Sequence, residues 1–172
     1  AILIDNLVNV EISGFTFTGT ANPAIVIRNR SKEITLSFNR FEYLDRGIEM
    51  ERSRGTITGN SFMNLTGSNS MGIYCYDRAS PIIASNLFLQ NRFGIVAENR
   101  SHPVILNNTM VDGETAVEIR NSENTPSSSP WLLNNIVSGH AQAFVAPNGG
   151  EPESISHNIL WENENDYWGL IA

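Results

Sequence analysis

The chain has 172 residues, 41% of them hydrophobic and 17% charged, with a formal net charge of −7. That composition can bury the core of one domain, and no shift along the chain marks a linker. The acidic balance, with no basic stripe in the sequence, excludes nucleic acid as an expected partner, and no apolar run is long enough to span a membrane; acidity suits solubility or a calcium-dependent site.

In chain order, a small residue followed by an alternating apolar step recurs eight times: AILI at 1–4, AIVI at 24–27, GIEM at 47–50, GIYC at 72–75, GIVA at 94–97, AVEI at 116–119, AFVA at 143–146 and GLIA at 169–172. Successive steps lie 22 to 27 residues apart, a period that marks a solenoid. After each of the first seven steps comes an apolar residue, in order Ile12, Leu36, Ile57, Ile83, Ile105, Leu132 and Ile155. Three residues on stand Phe15, Asn39, Asn60, Asn86, Asn108, Asn135 and Asn158, and two further on a bulky apolar series from Phe17 to Leu160. Each repeat therefore reads as three short strands and three bends. The expected fold is all-β: a right-handed parallel β-helix of about seven coils, 21–27 residues each, with an asparagine ladder at the second bend. Asn suits that place because it tolerates left-handed backbone and its amide can bond the next Asn in the stack.

The runs SPIIASNLFLQNRFGI (80–95), SHPVILNNTMVDGETAV (101–117) and SPWLLNNIVSGHAQAF (129–144) resemble the repeat of right-handed β-helix proteins of the pectin-lyase-like superfamily. GIYCYD at 72–77 is similar to microbial surface proteins built from such repeats. The resemblance implies an extracellular or cell-surface location and contact with polysaccharide. In the polysaccharide lyases of this superfamily, substrate lies along the outer face of the step sheet, where acidic residues hold calcium and an arginine removes a proton. By position, the substrate-binding candidates are Arg28, Glu49, Glu51, Tyr74, Tyr76, Asp77, Glu98, Glu118 and Arg120. Glu49 and Glu51 share a face and could hold a cation between them, while Tyr74 and Tyr76 could stack on sugar rings. Cross-strand ion pairs, Arg28 with Glu51 and Arg120 with Glu98, account for several of these residues with no ligand.

Catalytic clusters of the superfamily's hydrolases and epimerases are missing from the sequence, so no catalytic residue is assigned; an enzyme of this kind would be a polysaccharide lyase or hydrolase. His102, His140 and His157 fall at different phases and read as solvated turn residues, and the single cysteine, Cys75, as a core residue. At one bend Asn29-Arg30-Ser31, Asp77-Arg78-Ala79 and Asn99-Arg100-Ser101 recur, with Glu51-Arg52-Ser53 slightly off phase; Arg30, Arg78 and Arg100 could engage acidic sugar carboxylates or sulfates, but the expected role is to neutralise nearby Glu and Asp. The period lengthens at 64–71, 121–129, 147–153 and 161–168, the last an aromatic and acidic loop whose aromatics are expected to cover the end of the core or, alternatively, to contact sugar. Residues 1–172 read as one domain. Because they open and close on core strands, the chain reads as a segment of a longer protein, or as a rod whose uncapped coils associate end to end. Two functions follow: a carbohydrate-binding β-helix, or part of a polysaccharide-degrading enzyme; and, alternatively, a non-catalytic structural or adhesive surface rod.

Overall fold

A computed structural model describes residues 1–19, 23–121, 127–148 and 150–170. Its short strands form three parallel sheets wound as a right-handed β-helix, each coil contributing one strand to each sheet. The first sheet stacks Ile2–Asp5, Ile25–Arg28, Arg46–Glu51, Met71–Tyr76, Phe93–Glu98, Thr115–Arg120, Gln142–Val145 and Asn165–Trp168. The second runs from Val8–Ser13 to Ser154–Ser156, and the third from Thr16–Thr18 to Ile159–Trp161, seven strands in each.

Period-2 alternation sends one face of every strand inward, and in-register parallel pairing then stacks like on like. Ile12, Leu36, Ile57, Ile83, Ile105, Leu132 and Ile155 make one column of the core. In another, the rings of Phe17, Phe41, Phe62 and Phe88 lie nearly parallel, with centroids 4.7–5.0 Å apart. Gly47 and Gly72 also face inward, because a Cβ on either would come 2.9 Å from the ring of Phe62 or Phe88. Cys75 is fully buried, and burial pushes its thiol up to about 12, which keeps it protonated and unreactive.

The asparagine ladder holds at every rung. Asn60 is typical: its Nδ2 donates to Oδ1 of Asn86 at 3.1 Å and to the carbonyl of Leu36 at 2.9 Å, while its own Oδ1 accepts from the backbone N–H and the amide of Asn39. The left-handed residue, however, is not the ladder Asn. It is the residue before it: Gly14, Phe38, Gly59, Ser85, Asn107, Asn134 and His157 all have φ between 53° and 76°. The ladder Asn keeps ordinary backbone geometry and is placed there for its amide, which satisfies a backbone N–H and a carbonyl that the bend would otherwise bury unpaired.

One expected strand is elsewhere. The eighth first-sheet strand is Asn165–Trp168, in register as Phe144 to Tyr167 and Val145 to Trp168, and not the GLIA step, whose Ile171 and Ala172 lie outside the described residues. Asn163 sets this phase from the third bend, donating to the carbonyl of Val137 at 3.1 Å and accepting from the N–H of His140 at 3.0 Å. Those bonds bring the chain back into the sheet at Asn165, and the strand ends before Gly169, whose φ is 69°. The segment 161–168 is therefore mostly strand and not a loop. Of the long segment 121–129, residues 122–126 lie outside the described residues.

Candidate functional site

The outer face of the first sheet carries the candidates in two rows. Leu3, Val26, Glu49, Tyr74, Val96, Glu118, Val145 and Trp168 are in register in one, Trp168 standing where Ile171 was expected. In the other, Asp5 faces Arg28, Glu51 faces Tyr76, and Glu98 faces Arg120.

At the centre, the rings of Tyr74 and Tyr76 stack with centroids 4.9 Å apart and planes 14° apart. Tyr74 donates to Glu98 at 2.9 Å, and the Tyr76 hydroxyl lies 3.2 Å from Glu49 and 3.4 Å from Glu51. Burial, together with these carboxylates, pushes both phenols well above the usual tyrosine range. Both therefore stay protonated at neutral pH and act as hydrogen-bond donors.

The cations take different partners from those expected. Arg28 pairs with Asp5 at 2.9 Å and not with Glu51; the hydrogen bond from the Asn29 amide, joined by that from Arg28, holds the Asp5 carboxyl below its usual range. Arg120 pairs with Glu118 on its own strand at 2.9 Å and not with Glu98, which the Tyr74 hydroxyl takes instead. Despite partial burial, the Glu118 contact holds the Arg120 guanidinium above its ordinary value. Asp77 pairs with Arg52.

Two residues on this face were not anticipated. Arg46 bonds Glu49 at 2.7 Å and places its guanidinium 5.1 Å over the Tyr74 ring; Phe93 lies under Arg120 at 5.0 Å. Both stand one residue before a step glycine. Because Gly47 and the following Ile48 are both buried, alternation breaks there, and the residue before the glycine is free to face outward. An inward glycine was the available signal for this third outer position.

Calcium does not fit between Glu49 and Glu51. The Tyr76 hydroxyl reaches both, Arg46 holds one and Arg52 approaches the other at 3.7 Å. Two engaged carboxylates fall short of the six to eight oxygens that calcium takes. Among the described residues, no group of three or more His, Cys, Asp or Glu side chains is placed to hold a metal ion.

The histidines are scattered as expected, but His140 is not solvated. It is 4% exposed in the third-bend stack, with Nδ1 2.9 Å from the carbonyl of Ser138, and burial lowers its pKa. His102 is exposed and bonds Ser129 through Nδ1 at 2.7 Å, and His157 is exposed at a left-handed bend position.

The coil also gathers cations that the sequence scatters. Arg30, Lys32, Arg52, Arg54 and Arg78 line one groove at the first bend, which supplies the basic surface the linear sequence lacks. Of these only Arg52 is in an ion pair among the described residues, with Asp77 and Glu51, so Arg30 and Arg78 do not neutralise neighbouring carboxylates as expected. The bend at Arg52-Ser53 is one residue shorter than at Asn29-Arg30-Ser31, which explains its shifted phase: Arg52 alone is left-handed there, where Asn29 and Arg30 both are.

A family model described as a right handed beta helix region matches residues 1–165. No curated protein and no solved structure matches the chain.

Proposed function

The chain belongs to the right-handed β-helix family, and from that premise we propose that it is an extracellular or cell-surface rod that binds polysaccharide along the outer face of its first sheet. The observation that carries this reading is the Tyr74–Tyr76 pair, two stacked rings framed by Glu49, Glu51 and Glu98 on an uninterrupted eight-stranded sheet. Aromatic rings offer sugar C–H faces a platform, and carboxylates at the rim accept from sugar hydroxyls.

The reading is of binding and not of cleavage. A lyase needs a base to remove a proton, and both phenols are held in the protonated state. Arg120, an arginine of this face, is committed to Glu118 and raised in pKa, which makes it a poor base.

A glycan array tests the proposal, followed by titration of any hit against Tyr74→Ala/Tyr76→Ala. Binding weaker by about tenfold or more with an unchanged thermal midpoint is expected; binding that survives the double substitution overturns the face. A second reading, a non-catalytic structural or adhesive rod, is favoured by the internal pairing of Arg46 with Glu49 and Arg120 with Glu118, which leaves these charges satisfied without a ligand. Silence across the array decides for it.

A further inference from the structure

The groove at the first bend has a volume of about 410 Å³ and is lined by Asn6, Val8, Ser31 and Ser80 beside its five cations and Ser53. Two adjacent columns build it. Arg30, Arg52 and Arg78 come from successive bends, and Lys32 and Arg54 from the residues that open the second-sheet segment of two coils. Coils rise by about 4.8 Å, so the cations come together although 48 residues separate Arg30 from Arg78.

Three features point to an anionic ligand. Arg30, Lys32, Arg54 and Arg78 make no ion pair with a described residue, in a protein of net charge −7 where carboxylates are plentiful. The hydroxyl of Ser53, a residue 3% exposed that lines the groove, has no hydrogen-bond partner, whereas the equivalent Ser31 and Ser101 donate to backbone carbonyls at 2.8 Å. The groove's lining brings five cations together with no carboxylate among them.

Chemistry narrows the ligand. Three unpaired guanidinium groups, an ammonium and a hydroxyl exceed what the two oxygens of one planar carboxylate accept, and suit a tetrahedral oxyanion with three terminal oxygens. No aromatic side chain lines the groove to stack a base, and a phosphodiester offers two terminal oxygens where a sulfate ester offers three. We propose that this groove binds the sulfate esters of a sulfated polysaccharide. The inference deepens the carbohydrate reading and rests on it, but it uses the bend and not the tyrosine face.

Labelled dextran sulfate, neutral dextran, polygalacturonate and a single-stranded DNA oligonucleotide, titrated against the chain by fluorescence anisotropy, test it, with sodium sulfate as competitor. Dextran sulfate should bind at low ionic strength and be released at about 1 M NaCl. Arg30→Asn/Arg78→Asn, which keeps residues that tolerate left-handed backbone, should weaken it about tenfold or more. Arg40→Gln/Arg92→Gln, which removes the same charge elsewhere, should change it less than about twofold. Equal losses in the two variants would mean general electrostatics and overturn the site, as would tighter binding of the oligonucleotide or polygalacturonate, or sodium sulfate at equal concentration competing as well as the polymer. If a neutral glycan binds through Tyr74 and Tyr76 while dextran sulfate does not, the groove fails and the carbohydrate reading stands. If no glycan binds, both fall.

Discussion

Each ladder asparagine is bonded on every side, so its worth lies in the groups it would leave behind. Replacing Asn86 by Ala would take the side-chain acceptor from the N–H of Asn60 and remove one bond each from the amide of Asn60, the carbonyl of Ile57 and Oδ1 of Asn108, all buried. Unmet buried polar groups cost about 1–3 kcal/mol each, partly recovered by relaxation, so a loss of about 3 kcal/mol is expected in urea unfolding. A loss below about 1 kcal/mol would mean that water replaces the amide. The ladder's phase and its amide-to-amide bonding were legible in the sequence because Asn recurs at one interval; the place of the left-handed residue was not. Side-chain identity marks where an amide is needed, whereas the left-handed residue beside it can be Phe38, Ser85 or His157 and leaves no compositional trace.

At the level of the strand, the first and third sheets meet through complementary sizes. Gly72 carries no side chain where Phe88 projects toward it, and a Cβ there would lie 2.6 Å from the carbonyl oxygen of Gly94 as well as 2.9 Å from the ring. Backbone cannot yield as a flexible side chain can. Gly72→Ala, a change that normally favours ordered structure, should cost about 1–3 kcal/mol here by thermal denaturation. Combining it with Phe88→Leu should be less harmful than the sum of the two changes, because part of the clash is with the ring. The step pattern that located these strands misled once, at GLIA. A small residue followed by alternating apolar ones is not required for a strand at that corner, since Asn165–Trp168 forms one without it, and it does not fix the position, which Asn163 sets from the bend before. Partner choice on the outer face was equally hidden, since Arg28 lies between two coils and only the packed side chains decide for Asp5 over Glu51.

Over the whole molecule, columns of one side-chain type make the rod a one-dimensional stack in which each coil leans on its neighbours. Its response to acid follows from the groups locked inside. His140 ionises in the unfolded chain near 6.5 but is held neutral by burial in the folded one, despite the Ser138 carbonyl and the Asp112 charge that favour its cation. Above 6.5 both states are neutral and its contribution to stability is complete. As the pH falls below that value the unfolded state takes the proton first, so stability declines until the folded pKa is passed. Urea midpoints measured between about pH 7 and about pH 5 should fall, and His140→Gln should flatten that limb; an unchanged slope in the variant would assign the decline elsewhere. Asp5 acts in a separate window, because its lowered carboxyl loses stability only as the pH drops below its ordinary value of 3.8 and on through its folded one. The first-bend groove is the molecular feature least legible in sequence, because its cations become neighbours only through winding.

The left-handed residues before the ladder carry a wider consequence. Single L-residues other than glycine are disfavoured in that conformation by about 1–2 kcal/mol, yet Phe38, Ser85 and His157 all adopt it. Glycine, which loosens a strand or a helix, would tighten this molecule at such a corner. Such changes leave the buried columns untouched, so the rod holds an untapped thermal margin in its turns.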